Sequence, residues 1–258
     1  GEDARLYRAV EACSDFACSL GINIPTGKDS LAMTQKYGKD KVYSPGTVII
    51  SAGAEVSDIR KVVSPVLRTG IDSTVYYIDF SFDKLKLGGS AFAQSLDKIG
   101  KEVPTVQDSE YFANAFNAVQ ELINKELILA GHDISAGGMI TTMLEMNFAN
   151  TEGGLEVSLD EIPEKDLVKI LFSENPGILI QVEKTDEVEK ILKKAGVAFI
   201  RLARPCDERH LLIHKDGADY QFFIDHLRDV WFESSYLLDC KQSGEKAAKD
   251  RFLNYKEQ

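Results

Sequence analysis

Basic residues are in short supply in this 258-residue sequence. Thirty lysines and arginines stand against 41 aspartates and glutamates, a net charge of −11, which argues against a nucleic-acid or membrane-surface role resting on general positive charge. Long apolar runs are missing too. No stretch approaches the roughly 18 to 20 uncharged residues of a spanning helix, and residues 1–20 form an acidic amphipathic segment without a basic-then-apolar leader pattern. We therefore expect a chain that is neither secreted nor membrane-inserted, and place it in the cytoplasm. Cysteine is scarce, and Cys13, Cys18, Cys206 and Cys240 fall at no metal-ligand spacing, so they read as reduced thiols. Cys13 and Cys18 share one helical pattern, which favours packing over a bridge between them. There is no internal repeat, no low-complexity tract and no Walker loop, because Gly27-Lys28-Asp29-Ser30 lacks the longer Gly-rich stretch such a loop needs ahead of it.

What is present is an ordinary globular composition, 44% hydrophobic and 28% charged, at a length suited to one large domain or two of about 100 to 150 residues. Leu6, Val10, Cys13, Ala17 and Leu20 repeat at helical spacing, and Gly21 closes the pattern. No start signal precedes it, so a piece cut from a longer polypeptide is expected. Residues 23–33 read as a strand-like approach to a polar turn, residues 36–41 as a loop, and residues 46–52 as a buried strand; Val56 to Val66 has helical flavour. A turn-rich stretch at 68–72 marks a boundary. Beyond it come a strand at 75–80, a helix through Phe92, Leu96 and Ile99, a helix over about 109–130, an interhelical turn at 131–138 and a helix over 139–148. Strands at 155–157, 177–182 and 198–203, a hairpin at 211–214 and 220–223, and helices at 167–172, 186–195 and 224–232 follow. Strands and helices alternate without a strict parallel rhythm, so the class is α/β, or α+β in layers. Residues 233–258 read as an extended or helical tail.

Three polar, glycine-bearing segments invite chemistry, and each has a plain structural alternative. Gly27-Lys28-Asp29-Ser30 can hold a phosphate through Lys28 and backbone N–H groups, or be a solvated turn. Leu87-Gly88-Gly89-Ser90 opens a helix, where anions bind and glycines allow close approach, or is simply a helix start capped by Ser90. His132-Asp133-Ile134-Ser135-Ala136-Gly137-Gly138 carries the most information: Asp133 has the hardness for Mg²⁺, Ser135 can cap a helix or donate to a phosphate oxygen, and the glycine pair permits close approach. A capped turn is its alternative. Glu174, just before a buried strand, either points into a cleft or is a solvated loop acid; His210, His214 and His226 have no partner at ligand spacing and read as surface or packing residues.

The order of these phrases carries a resemblance. Gly1-Glu2-Asp3-Ala4-Arg5-Leu6-Tyr7, Ile24-Pro25-Thr26-Gly27-Lys28-Asp29-Ser30-Leu31-Ala32-Met33, Leu87-Gly88-Gly89-Ser90-Ala91-Phe92-Ala93-Gln94, Gly131 to Gly138 with Leu144-Glu145-Met146-Asn147-Phe148-Ala149, and Leu171-Phe172-Ser173-Glu174 together resemble the large, single-chain phosphoribosylformylglycinamidine synthases over nearly the whole chain. The resemblance implies modules like those of aminoimidazole ribonucleotide synthetase: the end of an amino-terminal-type module at 1–72, a carboxy-terminal-type module at 73–230, and a linker at 231–258 leading to a glutaminase domain. It implies a ligase of purine biosynthesis in which ATP activates the amide oxygen of formylglycinamide ribonucleotide and ammonia from glutamine displaces phosphate to give the amidine. By the same resemblance Asp133 matches a magnesium-binding aspartate and Ser135 a nucleotide-contacting serine. Lys28 and Asp29 face the same cleft, Gly88 and Gly89 form a phosphate-side or packing element, and the cofactors are Mg²⁺ and ATP. Partners are the remaining synthetase and glutaminase domains and small substrates. The family's usual Ser-Asp-Gly-Gly is Ser135-Ala136-Gly137-Gly138 here, which puts any role of that second acid in doubt. The alternative is a purely structural or docking module without its own nucleotide affinity; a selenophosphate-synthetase-like or thiamin-phosphate-kinase-like relative lacks the amino-terminal segments it would need. An apolar surface around residues 46–52 is expected to drive self-association.

Overall fold

A computed structural model describes residues 2–28, 33–43 and 47–254, and they pack as two compact units, Gly1–Ile59 and Arg60–Gln258. In the first unit, helix α1 spans Glu2–Ser19. It ends where Gly21 turns left-handed at φ 68, letting Ile22 N–H reach the Ala17 carbonyl at 2.9 Å, the hydrogen-bond pattern that glycine makes accessible at a helix end. The stretch expected as a loop is instead a hairpin, β1 Thr34–Tyr37 against β2 Asp40–Tyr43, with Tyr37 opposite Asp40. Gly38 at φ 61 supplies the positive φ that a two-residue hairpin turn requires at its first central position. The expected buried strand at 46–52 is not one: its described residues, 47–52, make no ladder, and Ile49 is 85% exposed. A strand needs a neighbour for its N–H and C=O groups, and no described residue provides it. Of the helical flavour over 56–66 only a single 3₁₀ turn forms, Ile59–Lys61. Among the described residues 3–59 not one is buried.

The second unit is built on a seven-stranded sheet in the order β4-β6-β3-β7-β5-β8-β9. Its strands are β3 Thr74–Asp79, β4 Ala130–Ile134, β5 Gly154–Ser158, β6 Gly177–Val182, β7 Phe199–Cys206, β8 His210–Lys215 and β9 Ala218–Phe223. Neighbours run antiparallel except β5 and β8. Side chains alternate between the two faces of a strand, and central β3 uses both. Val75 and Tyr77 enter one core with α4 (Gly138–Phe148) and α5 (Leu167–Phe172), while Tyr76 and Ile78 enter the other with α3 (Ser109–Asn124) and α6 (Thr185–Lys194). The result is the layered α/β class expected from the sequence, with helices on both faces of one sheet.

Two helix ends differ from expectation, each for a local reason. Helix α2, Ala91–Ser95, stops before Ile99 because Asp97 turns left-handed at φ 56. Helix α3 stops at Asn124, Glu126 turns at φ 56, and Leu127 N–H closes on the Leu122 carbonyl. The apolar period runs past this reversal, and so obscures strand β4, which replaces the expected interhelical turn at 131–134. At the other end α7 runs Ile224–Ser243 and α8 Glu245–Leu253, so the described part of the tail is helical. All four cysteines are free thiols, as expected.

Candidate functional site

Strand register brings three of the singled-out segments to one end of the sheet. Gly177 at the start of β6 lies opposite Asp79, the last residue of β3, and opposite Ile134, the last of β4. The turn after β3, the turn after β4 and the loop before β6 therefore leave the sheet side by side. In the first of these, the Asp79 carboxylate accepts from the N–H groups of Ser81 and Phe82 at 3.0 and 2.9 Å and from the Ser81 hydroxyl at 2.7 Å. Burial pushes the neighbouring Asp83 carboxyl up, but the Lys86 ammonium and the N–H groups of Lys84 and Thr105 outweigh it and hold it below the usual carboxylate range.

Asp133 lies on edge strand β4 opposite Ile178, with its carboxylate 75% exposed. Its backbone oxygen accepts from the Thr142 hydroxyl at 3.1 Å. The ring of His132 sits between two acids, 3.4 Å from the Asp133 carboxylate and 3.3 Å from Glu145. Ser135 is exposed, and its carbonyl accepts from Gly138 N–H at 3.0 Å. Gly137 and Gly138 take φ 90 and 73, and a Cβ on Gly138 would stand 2.7 Å from the Leu171 carbonyl oxygen, so Gly138 also serves the packing of α4 on α5. Beside β4 opens a cleft of about 350 Å³ walled by Val63, Val119, Ile123, Ile128 and Ile180. Its walls are apolar, and residues 131–133 bring the polar groups to it.

Gly88 and Gly89 use their own N–H groups: Gly88 donates to the Glu102 carbonyl at 2.7 Å and Gly89 to that of Ile99 at 2.6 Å. A Cβ on Gly88 would collide with the Glu102 carbonyl, so close backbone approach requires Gly88, while Gly89 serves by its left-handed backbone at φ 75. Ser90 caps α2, accepting from Ala93 N–H at 3.1 Å. Lys28 is exposed in the first unit, while Asp29 lies outside the described residues. Among the described residues no three His, Cys, Asp or Glu side chains come together as a metal cluster.

The residue that links these segments is Glu174, whose reading as a solvated loop acid the structure corrects. One carboxylate oxygen accepts from Gly137 N–H at 2.9 Å and from Ala91 N–H at 2.7 Å. Buried Asn175, which the sequence reading passed over, donates to the Ser81 hydroxyl at 3.0 Å and the Lys84 carbonyl at 3.1 Å. The available signal was a polar Ser173-Glu174-Asn175 run immediately before Pro176-Gly177 and a strand.

Residues 74–211 match the AIR synthase related protein, C-terminal domain, family, and residues 1–55 match the FGAR-AT PurM_N-like domain. The chain belongs to the AIR synthase related family. It is 36% identical over 247 residues to the probable phosphoribosylformylglycinamidine synthase, chloroplastic/mitochondrial, of Arabidopsis thaliana, and 33% over 250 residues to the phosphoribosylformylglycinamidine synthase of Homo sapiens. Each match covers 94% of this chain but only 17% and 18% of those proteins, so the chain spans less than a fifth of either relative's length. Among solved structures, T. maritima PurL complexed with ATP is similar at a TM-score of 0.52 and 15% identity, covering 66% of this chain and 28% of that one. PurL complexed with FGAR is similar at 0.51 and 20%, covering 66% and 30%. At these identities the likeness is one of fold. Among the described residues no helix is long and apolar enough to cross a membrane.

Proposed function

We propose that this chain is a share of a phosphoribosylformylglycinamidine synthase and contributes part of the cleft where ATP and formylglycinamide ribonucleotide meet. The observation that carries this reading is the convergence of the 87–91, 133–138 and 173–175 segments at one end of the sheet through Glu174. Phosphoryl transfer asks a protein mainly for positioning and for charge neutralisation, and fixed turns with exposed polar groups suit the first task. Asp133 and Ser135 are the residues we assign to the nucleotide side, with Gly88 and Gly89 holding the neighbouring turn in shape; Lys28, exposed in the first unit, is a separate candidate for a phosphate contact, and Asp29 lies outside the described residues. Magnesium is a harder fit. The described residues bring no three His, Cys, Asp or Glu side chains together, whereas the ion takes several oxygens, so they do not make a magnesium site by themselves.

The proposal includes the division at about residue 72 into an amino-terminal-type piece and a carboxy-terminal-type module to 230, with 231–258 as a linker. Ammonia from glutamine would come from elsewhere in a longer polypeptide, and the compartment would be the cytoplasm. The relatives' length, five times that of this chain or more, supports a partial contribution to the reaction. The exposed run Val48-Ile49-Ile50 supports self-association of the isolated chain, and light scattering that finds a clean monomer at high concentration would count against it.

Two observations favour a second reading, a scaffold without nucleotide affinity: the lack of a three-ligand metal cluster among the described residues and the internally used N–H groups of Gly88 and Gly89. Isothermal titration of Mg·ATP and Mg·ADP into the chain and its Asp133→Asn variant separates the two. Binding that the substitution abolishes supports the cleft reading; absence of binding in both supports the scaffold.

A further inference from the structure

We infer that Glu174 is a positioning residue that locks the start of α2 and the start of α4 into one rigid body. Gly137 immediately precedes α4 and has no side chain to cap the free N–H groups of the helix's first turn. Glu174, 37 residues further along the chain, accepts from the N–H of Gly137 itself at 2.9 Å and so ties down the helix start from outside. The same oxygen takes the first N–H of α2, that of Ala91, at 2.7 Å. A carboxylate accepting from backbone N–H at a helix start makes charge-assisted hydrogen bonds and lies at the favourable end of the helix dipole. Because a single oxygen serves both donors, the two turns cannot separate without breaking at least one of these bonds.

Asn175 extends the lock to a third segment. Its amide donates to Ser81 and Lys84 and its carbonyl accepts from the Ser173 hydroxyl and, at 3.4 Å, from Lys86 N–H. Two consecutive residues thus fix the 81–86, 87–91 and 135–138 segments against one another. The geometry stands without the nucleotide reading; only its consequence for nucleotide affinity rests on that reading.

The test is amide hydrogen exchange on the whole 258-residue chain. Glu174→Ala should speed exchange at Gly137 and Ala91 together, by about tenfold or more, while β3 and β6 amides are unchanged. Glu174→Gln keeps an acceptor oxygen at the same reach and should restore most of the protection. If Glu174→Ala does not fold, Glu174→Asp replaces it: one methylene shorter, it should leave at least one of the two amides fast. Protection that survives Glu174→Ala, loss at only one amide in that variant, or a Gln variant no better than the Ala or Asp variant overturns the inference. A parallel Mg·ADP titration keeps the two readings apart. If the unaltered chain binds, affinity should fall in the Ala or Asp variant and recover with Gln, and affinity indifferent to these changes overturns the functional consequence. If the unaltered chain does not bind, the nucleotide reading fails and the exchange rates still decide the lock.

Discussion

A methyl group on Gly138 would stand 2.7 Å from the Leu171 carbonyl oxygen, on backbone held at φ 73. Both the clash and the left-handed backbone oppose any side chain there, so Gly138→Ala should cost about 2 to 4 kcal/mol, read as a lowered urea midpoint at unchanged slope. A second residue-scale prediction concerns acid. Glu189 accepts from the Lys193 ammonium at 2.8 Å, the Arg201 guanidinium at 2.7 Å and the Tyr76 hydroxyl at 2.9 Å, and these partners hold its carboxyl at about 2, below the ordinary 4.5. A depressed folded pKa means the stabilisation is present above pH 4.5 and is lost as pH falls toward 2. Because the pair is partly exposed, Glu189→Gln should cost only about 1 kcal/mol near neutrality. The gap between wild type and variant should close through that acid window; a gap constant with pH would assign the effect to packing. Only the Glu189–Lys193 pair, four residues apart on α6, is local; Tyr76 from β3 and Arg201 from β7 become neighbours of Glu189 only on folding. Asp133 and Ser135 were legible because they lie within one short phrase. Glu174 was legible as a residue but not as a lock, because its two donors are 37 and 83 positions away.

Elements were legible where local chemistry decides them. In the structure Asp108 caps α3, a helix expected from its apolar period: its carboxylate accepts from Glu110 and Tyr111 N–H at 2.9 and 3.1 Å. Asp108→Ala should cost about 1 kcal/mol, visible as a lower thermal midpoint without change in helix content well below it. The strands of both cores, 75–80 and 177–182 among them, showed as apolar runs. Element ends were less visible. The apolar spacing of α3 continues to Leu127, yet the helix reverses at Glu126 and Leu127 is buried from the loop instead. An apolar residue reached from a helix and one reached from the following turn leave the same mark in a sequence. Strand β4 was hidden for a related reason: Gly131-His132-Asp133-Ile134 has the composition of a turn and becomes a strand because the β6 backbone lies beside it.

On the scale of the molecule, both hydrophobic cores draw their buried residues, among the described ones, from the second unit, from Leu67 to Ile224. Residues 60–258 should therefore fold by themselves with one cooperative urea transition, and with the midpoint of the whole chain; a shortened chain that melts gradually would show that the first unit contributes to the core. The acidic charge, the α/β class, the helical pattern of α1 and the phrases that mark the family were determined by the sequence alone, because each is written in neighbouring residues or in a short period. Only the tertiary structure decided that 47–52 forms no strand, that 131–134 does, and that Glu174 joins two helix starts, because hydrogen bonds between distant backbones depend on what folding places alongside.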